Sequence, residues 1–231
     1  MYLEQYLEPY RHINEITIII RVLLSVMIGG IIGIERGRKH HPAGFRTYML
    51  VCLGATLVMM TNQYIYQEFS NGDISRLGAQ VINGIGFLGA GTIIVTRKNQ
   101  VRGLTTAAGL WSSACLGLAI GIGFYEGAIV VGFAILFIMT VMQKLDSFVQ
   151  SKSTLINIYV SMYSQESVST FINFCREKAY KIIDMQINKD KEAGKHQIIL
   201  VSTMEVKKGT PHVEVLENLS KLDGVNFLEK L

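Results

Sequence analysis

The sequence predicts an α-helical multi-pass membrane domain with five transmembrane helices, followed by a C-terminal α+β soluble domain. Three observations predict it. Five long apolar stretches lie in the first two thirds of a 231-residue chain whose hydrophobic content is 49% and whose mean hydropathy is +0.32. The composition changes sharply after Met142, and residues 150–231 carry 21 of the 40 charged residues. Within that tail the hydrophobic periodicity alternates between strand and helix in the order βαββαβ. The boundary is expected between residues 149 and 150.

The spans are read as Ile16–Ile34, Tyr48–Ile65, Leu77–Thr96, Leu104–Gly123 and about 125–142, most apolar over Ala128–Met142. About 20 apolar residues at ~1.5 Å rise cross a bilayer core. No cleavable signal peptide is expected, because the first 15 residues are polar and no small-residue cleavage site follows Ile34. The third span holds INGIGFLGAG (82–91), where Gly84, Gly86 and Gly89 have the spacing of a dinucleotide-binding turn. Such a turn needs a strand before it and an acidic residue about 20 positions later. Here the next acidic residue after Asp73 is Glu126. The glycines, with Gly91, are therefore read as helix-packing positions.

Loop charges set the expected orientation. Glu35–Thr47 carries Arg36, Arg38, Lys39 and Arg46 against Glu35, and Arg97–Gly103 carries Arg97, Lys98 and Arg102. The N-terminal segment (Glu4, Glu8 and Glu15 against Arg11), the second loop (Glu68 and Asp73 against Arg76) and the fourth (Glu126) are not basic. The positive-inside rule then places the N-terminus outside and the C-terminal domain in the cytosol of a bacterial inner membrane. The net charge of +4 is topology, so no nucleic-acid partner is expected. Cys52, Cys115 and Cys175 have no metal or redox spacing.

In the tail, Leu155–Tyr163 alternates as a strand and Glu166–Tyr180 reads as a helix. Lys181–Ile187 and Gln197–Val206 are strands on either side of the polar turn NKDKEAGKH. Thr210 and Pro211 are expected to cap and open a helix to Leu222, and Val225–Leu231 closes the domain as a strand. This order is that of a ferredoxin-like sandwich. Its 11 basic and 10 acidic residues nearly balance, and it has no nucleophile–base pair or phosphate loop. A dimerisation or regulatory module is the first reading and a small-ligand sensor the second.

Polar groups within spans are functional candidates. An outer-half cluster is expected from Arg21 with Asp73, Arg76, Gln80 and Asn83, the last four on one stripe of the third span together with Phe87 and Gly91; alternatively Arg21 snorkels to the headgroups. A denser cytoplasmic-side cluster gathers Glu35, Arg36, Arg46, Thr47, Arg102, Thr105 and Thr106. There Glu35 is read as the ion-pair partner of an arginine, and Lys39 and Lys98 as topology signals. Trp111 lies mid-span and is read as a packing anchor whose indole needs a partner, either Ser112, Ser113 or a group on another span.

IGIERGRKHHPAGFRTYMLVCLGA (32–55), SRLGAQVINGIGFLGAGTII (75–94) and VRGLTTAAGLWSSACLG (101–117) together resemble the MgtC/SapB membrane protein family. The resemblance implies a cytosolic tail like an ACT domain and a link to growth in low magnesium and to virulence, without implying that the protein itself transports anything. The motif residues it marks are Glu35, Arg36, Gly44, Arg46 and Thr47; Arg76, Gln80, Gly84, Gly86, Gly89, Ala90 and Gly91; and Arg102, Gly103, Leu104, Thr106, Ala107, Ala108 and Trp111. Thr105 stands where some members have Asn.

The first functional expectation is a regulatory or interaction protein of the inner membrane with an arginine-rich site for an anionic ligand or lipid headgroup. The second is a transporter of Mg²⁺ or another cation; an intramembrane enzyme ranks third, so no catalytic residue is assigned. Mg²⁺ favours carboxylate oxygens and dehydrates reluctantly, and the spans offer only Glu35 and Asp73, at opposite ends. No metal site and no cofactor are expected. The expected partners are the lipid bilayer and either a second copy of the chain or another membrane protein.

Overall fold

A computed structural model of the chain describes residues 10–38, 41–69, 73, 75–96, 100–151, 153–190 and 197–231. Expectations resting on Glu4, Glu8, Lys39, Arg97 and Lys98 lie outside these residues. The chain divides into two compact units, Met1–Gln143 and Lys144–Leu231, six residues before the boundary expected between residues 149 and 150 and one residue after the composition change at Met142.

The first unit is a helical bundle. Helix α1 (Glu15–Arg38) opens with a reciprocal cap: Thr17 N–H donates to Asn14 Oδ1 at 2.9 Å, and Asn14 N–H donates to Thr17 Oγ1 at 2.8 Å. Then come α2 (Phe45–Phe69), α3 (Arg76–Gly91), α4 (Leu104–Gly121) and α5 (Tyr125–Phe137), which passes into a π-helical turn at Ile138–Met142. By length and composition four helices among the described residues can cross a membrane: Glu15–Arg38, Phe45–Phe69, Leu104–Gly121 and Tyr125–Leu145. The expected third span is shorter than its apolar stretch. Its helix has 16 residues, about 24 Å at ~1.5 Å per residue, against a hydrocarbon core of about 30 Å. Helix α3 stops at Gly91 because a run of β-branched residues follows. Strand β1 (Ile94–Val95) pairs antiparallel with β2 (Val101–Arg102), Ile94 opposite Arg102 and Val95 opposite Val101.

Small residues at four-residue spacing let these helices approach closely. On α1 they are Ser25, Gly29 and Gly33, and on α4 Gly109, Ser113, Gly117 and Gly121, all buried. A Cβ at Gly33 would stand 2.7 Å from Phe45 Cα, and one at Gly121 2.6 Å from the Thr56 carbonyl oxygen. Thr56 Oγ1, buried between α2 and α4, donates 2.9 Å to the Gly117 carbonyl. Around these contacts Ile32, Tyr48, Cys52, Leu110, Leu116 and Ile120 form the core.

The third span's glycines do not share this role within one chain. Gly89 meets Ala107 at ordinary van der Waals distance, whereas Gly84, Gly86 and Gly91 have nothing within 4 Å of a would-be Cβ. Trp111 is 48% exposed and makes no hydrogen bond among the described residues, so it is not a buried anchor of this bundle. Leu110 beside it takes the inward position instead.

Helix α6 (Gln143–Ser151) starts at the last residue of the first unit and leads into the second, which continues with β3 (Leu155–Met162), α7 (Gln165–Glu177), β4 (Lys181–Asp190), β5 (Gln197–Glu205), α8 (His212–Ser220) and β6 (Val225–Lys230). The strands form one antiparallel sheet in the order β4-β5-β3-β6, which makes the order of strands within the unit second, third, first, fourth. Alternation in β3 buries Ile156, Ile158, Val160 and Met162. Phe171 and Cys175 of α7 and Val215 and Leu219 of α8 cover that face. Ser164 caps α7 by accepting from Ser167 N–H at 3.3 Å. Several boundaries differ from expectation: α7 ends at Glu177 rather than Tyr180, and α8 ends at Ser220 rather than Leu222. Residues 188–190 of the expected turn extend β4, with 191–196 outside the described residues, and α8 starts after Pro211, whose extended ψ of 129° makes it the cap in place of Thr210.

Candidate functional site

Two buried arginines of α1 organise the two ends of the bundle. At the Arg38 end, Arg36 is 2% exposed, and its Nε lies 2.7 Å from Glu35 Oε2. Arg36 Nη2 donates, at 3.4 Å, to the carbonyl of Met139. Met139 sits in the π turn, where widening of the helix releases carbonyls from the ordinary ladder. Tyr48, fully buried, donates its hydroxyl to the Thr106 carbonyl at 3.3 Å. Gly109 leaves the room that the Tyr48 ring and Met139 occupy.

Glu35, Arg36 and Thr106 are thus drawn into one constellation with Tyr48 and Met139. The other expected members stand apart. Arg46 and Thr47, both exposed at the start of α2, border a groove of about 500 Å³ between α2 and α3. Leu50, Gly54, Val81 and Leu88 line it, and Gly84 leaves it open on the α3 side. Arg46 makes no hydrogen bond or ion pair among the described residues. Arg102, exposed on β2, donates to Gln100 Oε1 at 3.2 Å. Thr105 is exposed, and Gly103, at φ 97°, turns the hairpin into α4 against the Thr92 carbonyl.

At the opposite end Arg21 is wholly buried and does not snorkel. Its Nε donates to Tyr125 Oη (3.1 Å), Nη1 to Gln63 Oε1 and the Gly121 carbonyl (both 2.7 Å), and Nη2 to the carbonyls of Arg11 (2.9 Å) and Tyr10 (3.4 Å). Every acceptor is neutral. The C-terminal end of α4, where Gly121 lies, supplies partial negative charge. Nearby, Arg11 pairs with Glu126 at 2.9 Å.

The expected cluster of Arg21 with Asp73, Arg76, Gln80 and Asn83 does not form. Those four are exposed, and Asp73 accepts from Ser75 Oγ (2.6 Å) and Ser75 N–H (2.9 Å), bonds that hold its carboxyl below the usual range. Gln63 and Tyr125 were open to sequence reasoning as polar groups at span ends; the backbone acceptors were not.

Comparison with known proteins follows the same helices. A family model described as MgtC family matches residues 22–148, which is more than half of the chain. The chain belongs to the MgtC family. Escherichia coli (strain K12) YhiD is 31% identical over 215 residues, 90% of this chain and 97% of that protein. SapB of Bacillus subtilis (strain 168) is 28% identical over 235 residues, 97% of each chain. MgtC of Brucella abortus (strain 2308) is 43% identical over 128 residues, 54% of this chain and 50% of that one. Among solved structures, the C-terminal domain of Mycobacterium tuberculosis MgtC is 13% identical at TM-score 0.28, covering 35% of this chain and 87% of that one. The ACT domain of a GTP pyrophosphokinase from Chlorobium tepidum is 17% identical at TM-score 0.28, covering 33% and 96%. The family match begins one residue after Arg21 and takes in both the Glu35–Arg36 pair and the Arg46 groove.

Proposed function

We propose that this MgtC-family chain is a regulatory or interaction protein of a bacterial inner membrane, tied to adaptation to low magnesium, and that it is not an enzyme. In this reading α3 and its flanks make the fifth span, the N-terminus is outside, and the second unit is a cytosolic ferredoxin-like, ACT-like module that passes a signal. The strand order β4-β5-β3-β6 supports that last assignment.

The observation that carries the proposal is the contrast between two arginines. The charge of Arg36 is balanced by Glu35, whereas Arg46 stands without a partner among the described residues at the border of an apolar groove. A guanidinium offers a planar fork to phosphate or carboxylate, and an apolar groove takes a hydrocarbon chain. An anionic amphiphile, a lipid with its headgroup at Arg46 and an acyl chain between α2 and α3, fits both.

A second reading has one specific support: YhiD carries a provisional name as a magnesium transporter. Glu35 would then be the cation ligand. Against it, Glu35 Oε2 is already 2.7 Å from a guanidinium nitrogen, and among the described residues no three of His, Cys, Asp and Glu converge.

One set of variants separates the two. Membrane abundance, growth complementation in low magnesium, and Mg²⁺ uptake in proteoliposomes are measured for wild type, Glu35→Gln and Arg46→Lys. The proposal expects Arg46→Lys to keep its abundance but lose complementation and co-purifying anionic lipid. Glu35→Gln should lower abundance, since unpairing a buried charge costs roughly 3–5 kcal/mol. Wild-type uptake that Glu35→Gln abolishes and Arg46→Lys spares would establish the transporter.

A further inference from the structure

Helix α3 turns a largely apolar stripe that carries Asn83 away from its own bundle. Its buried residues, Ile85 and Gly89, face inward: Ile85 packs with Ala55 and Ala114, and Gly89 meets Ala107. On the far side Ala79, Asn83, Phe87 and Ala90 follow at spacings of four, four and three, all exposed, with Phe87 83% exposed. Gln80 flanks the stripe. Neither Gln80 nor Asn83 makes a hydrogen bond among the described residues. The stripe is distinct from the Arg46 groove, which lies on the Gly84–Leu88 side of the helix.

Depth makes this arrangement informative. Ala55 and Ala114 stand near the middle of helices that cross the membrane by length and composition. Ile85 therefore lies near the bilayer midplane, and Asn83, two residues away, about 3 Å from it along the helix axis. A carboxamide there meets only hydrocarbon unless another polypeptide covers it.

We propose that the Ala79–Asn83–Phe87–Ala90 face of α3 packs against the same face of a second copy, about a two-fold axis along the membrane normal. Copies inserted in one orientation hold Asn83 at one depth. A carboxamide both donates and accepts, so two of them pair reciprocally across the axis. Ala79 and Ala90 allow close helix approach above and below that pair. A lipid chain offers no hydrogen bond, and an unrelated membrane protein would have to bring its own polar group to that depth.

The test uses the full chain in native membranes, in a Cys115→Ala background, the other two cysteines being buried. Oxidation of Ala90→Cys should yield a species of twice the 25.7 kDa chain mass, at least ten-fold above Val130→Cys, an exposed position on α5. Adding Asn83→Leu should cut the Ala90→Cys cross-link about ten-fold. Equal cross-linking at Val130→Cys, no effect of Asn83→Leu, or products only at other masses would each overturn the proposal. Should Asn83→Leu fail to accumulate, the comparison of Ala90→Cys with Val130→Cys decides alone.

Discussion

Arg21 is a buried cation held by neutral oxygens, and its side chain joins the Tyr10–Arg11 segment, Gln63 of α2, Gly121 of α4 and Tyr125 of α5. Hydrogen bonds to a charged group contribute about 1.5–3 kcal/mol each, and carbonyls left unpaired by truncation add their own penalty. Arg21→Met should therefore lower stability by at least about 2 kcal/mol, read as a fall in melting temperature in detergent. Leu23→Met on the exposed face should change little. In the second unit, burial pushes the Cys175 thiol from 9.0 up to about 12. A thiol bound to its proton more tightly in the folded state stabilises that state fully below pH 9. That contribution is lost as pH rises from 9 to about 12, because the unfolded thiol ionises first. Chemical denaturation of the second unit across this window should show falling stability, and Cys175→Ala should flatten the fall while lowering stability at neutral pH. An equally steep fall in Cys175→Ala would assign the loss to other groups.

Element packing follows the glycines of α1 and α4 rather than those of α3. A Cβ at Gly117 would stand 2.8 Å from that of Ala55 and clash with the Cys52 carbonyl, while one at Gly84 meets nothing within 4 Å. Gly117→Ala should sharply reduce the folded protein recovered from membranes, through overpacking of roughly 1–3 kcal/mol or more. Gly84→Ala should accumulate normally. Gly84→Leu fills the groove beside Arg46, so it should keep its abundance and lose complementation in low magnesium. Equal losses of abundance in Gly117→Ala and Gly84→Ala would mean that α3 is packed as tightly as α4. The signal for the true packing helices was present as four-residue spacing of small residues. It was outweighed by the denser glycine run at 84–91, whose neighbours only the fold reveals.

For the whole molecule, a chain with α3 inserted as a fifth span puts Asn71 outside and Lys98 inside, whereas four spans alone leave them on one side. Cysteine labelling at the two positions in intact cells should give opposite answers, and the same answer would exclude the fifth span. An expressed 144–231 fragment should show mixed α/β circular dichroism and a cooperative melt, because its core of Ile156, Ile158, Phe171, Leu200 and Leu219 is complete within it. Most of the architecture was legible in the sequence. Apolar runs and the period of two in Leu155–Met162 each report a local property, an apolar helix surface or burial on one sheet face, and such properties are written residue by residue. The pairing of Glu35 with a neighbouring arginine was legible for the same reason, since the two are adjacent. The tertiary structure alone decided which guanidinium groups are buried on hydrogen-bond acceptors and which stands open: Arg21 on carbonyls of distant segments, Arg36 on a π-turn carbonyl 103 residues away, Arg46 bordering a groove. Those outcomes depend on backbone acceptors and on gaps between helices, neither of which has a letter in the sequence.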